Sequence, residues 1–235
     1  QSGDSATGSS GGIAVRGGSG ADSAGDIILK AGTSAGAQTG GSLVLGGGSS
    51  QEGVGGNVTI STADGSVASS GSIDIRTGHS RQDSTGSIGL STGNAASGAA
   101  GNVSISAGMS AVHDGGALVL AAGASNDAAG GAVRVQSGTG THGSGEVRME
   151  SSNNVFGKSG AVAVASGRSK DATGNVQMHS GDAGQSSGDV IISTGNSEMQ
   201  SGALSMIGGN SAAGAGGDVV VAGGVGSTSG GDVQI

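Results

Sequence analysis

The chain has 235 residues, of which 55 are Gly and one is Phe, and it contains no Pro, Cys, Trp or Tyr. Without Cys it can form neither disulfides nor thiolate metal sites, and without a long apolar run it is predicted to have no membrane span. A formal net charge of -8 argues against a nucleic-acid partner, which requires a basic surface and is usually bound with the help of stacking aromatics.

The sequence is organised in short repeats. Each unit opens with Gly, and aliphatic residues follow two and four positions later. In chain order, the sixteen pairs are Ile13/Val15, Ile27/Leu29, Leu43/Leu45, Val58/Ile60, Ile73/Ile75, Ile88/Leu90, Val103/Ile105, Leu118/Leu120, Val133/Val135, Val147/Met149, Val162/Val164, Val176/Met178, Val190/Ile192, Leu204/Met206, Val219/Val221 and Val233/Ile235. This regularity disfavours the alternative of a disordered Gly/Ser-rich linker, which has no reason to keep such a register.

The aliphatic pairs alternate with other residues, which is typical of a half-buried β-strand. The opening glycines are 14 to 16 residues apart, and this length matches one coil of a solenoid in which successive coils pair in parallel. The sequence therefore predicts an all-β fold, a parallel β-solenoid (β-helix) of about 16 coils with 14–16 residues per coil. The array is predicted to run without interruption over residues 1–235.

Small residues recur at fixed places in each unit. A second Gly, such as Gly18, lies seven residues after most opening glycines, and Ala63 and Ser152 replace it in two units. Two glycines per unit predict two corners with positive φ. Two positions after the second Gly the residue is again small, as at Ser50, and Asn154 departs from this rule. These features predict a thin, two-walled cross-section and a local bulge near Asn154.

The position between the two aliphatic residues is expected to face outward. It is polar or charged in many units, and four apolar residues at this position are predicted to serve in lateral packing: Ile28, Val44, Ile191 and Val220. Ordinary exposed surface is the alternative interpretation of these four residues.

No constellation of residues predicts catalysis, a cofactor or a metal site, so the chain is not expected to be an enzyme. The four histidines lie far apart in the sequence, and segment 152–159 resembles a phosphate-binding loop but lacks its first Gly. Asp follows the opening Gly at four places: Asp26, Asp189, Asp218 and Asp232. Solvated carboxylates are expected, and a cation that bridges Asp218 and Asp232 of neighbouring units is the alternative.

Two N-glycosylation sequons occupy the same place in their units. They begin at Asn57 and Asn102, each directly after an opening Gly. The nine Asn and many Ser and Thr residues would produce about two such sequons by chance. Covalent glycans at these positions are therefore a hypothesis.

The unit Gly-x-aliphatic-x-aliphatic-x-[Ser/Thr/Ala]-Gly resembles the Gly/Ser/Ala-rich repeat proteins found on the surfaces of algae, oomycetes and some bacteria. The resemblance covers the whole chain and implies an extracellular fibre, hair, sheath or adhesive stalk. The predicted function is the shaft of an extracellular filament built from stacked coils, with other copies or filament subunits as partners. The alternative is an adhesin stalk or binding module that contacts glycans or ice through one face. Because no terminal cap is visible, the chain is expected to be part of a longer array.

Overall fold

A computed structural model describes residues 2–235 of the chain. In that range the chain contains no helix and no strand. The prediction of an all-β fold is therefore wrong, and with it the predictions of a parallel β-solenoid or β-helix, stacked coils and a two-walled section. The chain divides into two units, Gln1–Leu118 and Val119–Ile235.

Each unit consists of irregular segments separated by short bends. In Gln1–Leu118 the chain bends at 6–8, 21–22, 35–38, 51–53, 66–68, 81–83, 96–98 and 111–113. In Val119–Ile235 it bends or turns at 126–128, 141–142, 155–157, 170–171, 184–185, 198–199, 212–214 and 227–228. Every bend lies between a second Gly position and the next opening Gly, so the sequence repeat is retained as a repeat of loops.

Residues 2–235 do not build a hydrophobic core. Its accessible surface is 23357 Å². A folded globular protein of 21.4 kDa exposes about 9,000 Å² and its unfolded chain about 31,000 Å². Val58, Ile73 and Ile88, all predicted to point inward, are 56%, 52% and 61% exposed. The aliphatic pairs of the described residues therefore remain accessible to solvent.

The absence of strands follows from the backbone hydrogen bonds. A β-strand exists only where its N–H and C=O groups pair with a neighbouring strand. Within residues 2–235, every hydrogen bond between two backbone groups joins one glycine to another in the loops. The aliphatic segments take no part in these bonds, so no ladder forms between successive units.

Individual segments nevertheless keep the alternation of an extended chain. The Arg76 guanidinium lies 3.2 Å from the Asp74 carboxylate, and Arg148 lies 2.6 Å from Glu150. Residues two apart are on the same side of an extended backbone, so Ile73 and Ile75 share the side opposite to the first ion pair. Middle residues are also more exposed than the flanking pair, since Ile191 is 81% exposed and Val190 is 51% exposed.

Many loops are closed at their base by a hydrogen bond between two glycines. We call this base, formed by a second Gly and the next opening Gly, the neck of the loop. The opening Gly donates its N–H to the C=O of the second Gly before it, as from Gly56 to Gly48 at 2.8 Å. The same bond joins Gly11 to Gly3, Gly25 to Gly18, Gly41 to Gly32, Gly116 to Gly108, Gly131 to Gly123, Gly145 to Gly138, Gly217 to Gly209 and Gly231 to Gly224.

At several necks the opening Gly is required for close approach, and none of the neck glycines has a positive φ. Across residues 2–235 only Gly143 has a positive φ, 146°, and it is neither an opening Gly nor a second Gly. The predicted positive-φ corners are therefore wrong. A Cβ at Gly56 would lie 3.1 Å from the backbone nitrogen of Gly48, closer than side chains normally approach a backbone atom.

Candidate functional site

A serine hydroxyl shapes many of the loops. Ser50 Oγ accepts a hydrogen bond from the N–H of Gly53 at 2.8 Å, and Ser125 Oγ accepts one from Ala128 at 3.0 Å. Both serines lie two positions after the second Gly, where a hydroxyl can complete a turn of its own backbone. At these serines the small residue is therefore not part of a second wall, and its hydroxyl accepts a backbone hydrogen bond.

Asn154 takes the place of this serine in the loop at residues 152–158, which we call the Asn154 loop. Its side-chain Oδ1 accepts hydrogen bonds from the N–H groups of Phe156 at 2.9 Å and Gly157 at 3.0 Å. Its Nδ2 donates to the carbonyl oxygen of Lys158 at 3.3 Å. The predicted bulge has no strand to interrupt. Asn154 is larger than the residues found at this position in other units, and its side chain makes three hydrogen bonds within this loop.

The Asn154 loop presents apolar side chains to water. Phe156, the only aromatic residue of the chain, is 99% exposed, and Val155 beside it is 89% exposed. Leaving a Phe side chain in water rather than burying it costs about 1.5–3 kcal/mol. The loop therefore combines a fixed backbone with the largest apolar side chain of the protein, held in solvent.

The four residues predicted to serve in lateral packing are strongly exposed. Ile28, Val44, Ile191 and Val220 are 80%, 85%, 81% and 83% exposed. Each lies within three consecutive aliphatic residues. Asp precedes three of these runs, giving segments 26–29, 189–192 and 218–221, which we call the acidic triplets. Their lateral packing stays a prediction.

The predicted glycosylation sites are accessible. Asn57 and Asn102 are both exposed, and each lies between an opening Gly and the first aliphatic residue of its unit. Accessibility is necessary for modification but does not demonstrate it, so glycosylation at these residues stays a prediction.

One open depression of 390 Å³ is formed by polar and apolar residues of neighbouring segments. The His179 ring nitrogen Nδ1 lies 3.1 Å from the carbonyl oxygen of Ser180 at its edge. The depression is lined by Gln177, Met178, His179, Ser180, Asp189 and Val190. All but Ser180 are exposed, so the depression does not shield a polar ligand from water.

The described residues offer few of the usual signs of a functional site. No group of three His, Asp or Glu side chains in residues 2–235 could hold a metal ion. Over the same range there is also no helix of sufficient length and apolar character to cross a membrane. No family model, curated protein or solved structure matches the chain. The function proposed below therefore depends on the chemistry of the chain's own residues.

Proposed function

We propose that the protein is a structural protein that assembles with further copies of itself into an extracellular filament or fibre. The observation that carries this proposal is the exposure of the aliphatic pairs. Their exposed fraction runs from 45% at Val233 to 75% at Met149, apart from the last residue, Ile235. The assembly proposed here joins separate chains and does not depend on stacked coils within one chain.

The exposed aliphatic area is large enough for a stable interface. Full burial of such a side chain removes about 60–120 Å² from water, given about 1.5–3 kcal/mol per side chain and about 25 cal/mol per Å². The 32 aliphatic side chains still expose roughly half of that area, which amounts to about 1,000–1,900 Å². A standard protein–protein interface uses about 800 Å² on each partner.

A second copy of the same chain fits this surface better than an unrelated partner. The aliphatic pairs recur every 14 to 16 residues, and another copy carries pairs at the same spacing. Charged residues make up only 11% of the chain, and the net charge of -8 is spread over 235 residues. Electrostatic repulsion between copies is therefore weak, and salt screens it further.

The extracellular setting is supported by composition and by accessible modification sites. Hydrated Gly, Ser and Thr residues dominate the sequence, as in the surface repeat proteins that it resembles. The exposed sequon residues Asn57 and Asn102 would carry glycans in a secreted protein. Such glycans would add hydration to a filament surface without occupying the aliphatic positions.

Sedimentation velocity across a dilution series tests the proposal. The full chain should associate as its concentration rises, and Ile73→Asp combined with Ile105→Asp should weaken that association by placing charge on the aliphatic surface. Val67→Asp combined with Val225→Asp is the matched control, because these residues are 100% and 103% exposed in loops outside the aliphatic pairs. A chain that stays monomeric at every concentration contradicts the proposal, and glycan or ice binding by that monomer would favour an adhesin.

A further inference from the structure

We infer that the Asn154 loop is the anchor through which one copy of the chain binds another, with Phe156 seated on an acidic triplet of the second copy. The inference rests on the proposed self-assembly and names the contact that directs it. Three features carry it: a preorganised aromatic loop, complementary apolar segments on the same molecule, and unpaired charges of opposite sign on the two surfaces.

The loop has the properties of an interface anchor. Aromatic side chains supply a large share of binding energy at protein interfaces, and this chain has one, at 99% exposure. The three hydrogen bonds of the Asn154 side chain fix the backbone around Phe156 before any partner arrives. A loop already held in one conformation loses less entropy on binding, which raises its affinity.

The acidic triplets provide the complementary surface. Three consecutive aliphatic residues place hydrocarbon on both sides of an extended segment, so an incoming ring meets apolar atoms from either side. The middle residues Ile28, Ile191 and Val220 are 80%, 81% and 83% exposed. Two further units have an aliphatic residue at this position, Val44 and Val119, but no Asp before it. The remaining units have Ala, Ser, Thr, Gly, Gln or a charged residue there, such as Thr59, and offer an aromatic ring less apolar area.

The charges next to the two surfaces are complementary. Lys158 follows Phe156 by two residues, and each triplet opens with Asp26, Asp189 or Asp218. Within the part of the chain that the structure describes, the ion pairs are Asp74–Arg76 and Arg148–Glu150. Lys158 and the three Asp residues of the triplets are in neither pair, so they are free to pair with another copy. An exposed pair adds little affinity, but it orients the encounter and speeds association.

This contact leads to open-ended assembly. The loop of one copy meets a different surface on the next copy, so the interface is heterologous and does not close on itself by two-fold symmetry. Each copy has one Asn154 loop and three acidic triplets. Repetition of a heterologous contact that does not close into a ring produces a filament, in agreement with the proposed function.

The first test uses the absence of Trp and Tyr from the chain. In a full chain carrying Phe156→Trp, indole fluorescence should shift to shorter wavelength as concentration rises and should return on dilution. A spectrum typical of exposed indole at every concentration overturns the inference. A blue shift that does not depend on concentration overturns it as well, because it would show the loop docked on its own chain.

The second test compares truncations in loops. Phe156→Ala should weaken self-association of the full chain by about tenfold or more, as expected for an aromatic anchor. Val225→Ala is the matched control, since Val225 is 103% exposed in another loop and should change association less than twofold. If the unsubstituted chain does not associate at all, the proposed function fails. If it associates and Phe156→Ala associates equally well, only the present inference fails.

The third test exchanges the charges. Lys158→Glu should weaken association, and mixing it with a chain carrying Asp26→Lys, Asp189→Lys and Asp218→Lys should restore co-assembly of the two variants. Each variant alone should associate less than the mixture, measured by sedimentation with one chain fluorescently labelled. Equal association of the mixture and of the separate variants contradicts the pairing of Lys158 with the triplets.

Discussion

Loops of the same length in the same repeat differ at the neck. The loops at 48–56 and 123–131 are closed by a glycine–glycine hydrogen bond, at 2.8 and 2.9 Å. The loops at 78–86 and 93–101 lack this bond in the described structure. The residue just before the second Gly differs between the two groups. It is Gly47 or Ala122 in these two closed loops and Thr77 or Thr92 in these two open ones. Ser occurs at this position in both kinds of loop, as Ser137 before a closed neck and Ser166 before an open one.

A branched side chain at this position accompanies the open necks at 78–86 and 93–101. The Thr77 methyl carbon would lie 3.6 Å from a Cβ at Gly86, so it lies beside the opening Gly of this loop. With Ala107 or Ala122 at this position, the opening Gly reaches the carbonyl of the second Gly. In these loops, Thr before the second Gly therefore coincides with an open neck, although every unit has an opening Gly.

The largest effect is expected from Ala122→Thr, which should open a closed neck. Loss of the bond from Gly131 to Gly123 removes about 0.5–1.5 kcal/mol of local stability. Amide hydrogen exchange at Gly131, measured by NMR, should then accelerate up to about tenfold. Ala122→Gly is the control and should leave the exchange rate close to its original value. Unchanged exchange in Ala122→Thr would show that the methyl group does not control the neck.

A smaller effect is expected from Thr77→Ala, which should close an open neck. Removal of the branched methyl lets the Gly86 N–H reach the Gly78 carbonyl, and the gain is at the lower end of about 0.5–1.5 kcal/mol because the bond is exposed. Amide exchange at Gly86 should slow by about twofold to fivefold. Thr77→Val keeps the branch and should not slow exchange. Equal slowing in both variants would assign the effect to the hydroxyl.

The smallest effect is expected from Ser125→Ala. The serine hydrogen bond occurs in both groups of loops, since Ser80 Oγ accepts one from Asp83 at 3.0 Å in an open loop. Its loss should accelerate exchange at the Ala128 amide by about twofold to threefold and leave the Gly131 amide unaffected. Ser125→Asn should retain the turn, as Asn154 does. Faster exchange at Gly131 would show that turn and neck are coupled.

The sequence allowed the repeat and its alternation to be recognised, but the fold class predicted from them is wrong. The spacing of Val58 and Ile60 shows that two side chains lie on one side of a segment, and it does not specify what covers them. A solenoid also needs hydrogen bonds between units, which depend on backbone partners distant in sequence. Regular aliphatic pairs can be buried within their own chain, or they can stay exposed and contact a second chain. The sequence pattern is the same in both cases.

The sequence indicated the Asn154 loop only as a segment that departs from the repeat. Phe156 and Asn154 were noted because they depart from the repeat, and a bulge was predicted there. The recurrence of Ser at one loop position could have identified the turn, since Ser, Thr, Asn and Asp share the ability to accept a nearby backbone N–H. Asn154 is then the expected substitute. The neck could not be predicted in the same way, because it depends on the separation of residues seven to nine apart.

The closed necks have a mechanical consequence for a fibre under load. Each neck holds seven to nine residues out of the direct line of the chain through one glycine–glycine hydrogen bond. When tension breaks that bond, the loop can lengthen by up to about 3.4 Å per residue. A series of such hydrogen bonds lets the chain extend one loop at a time, and each rupture dissipates work. The bonds can re-form when the load is removed, because the covalent backbone remains intact.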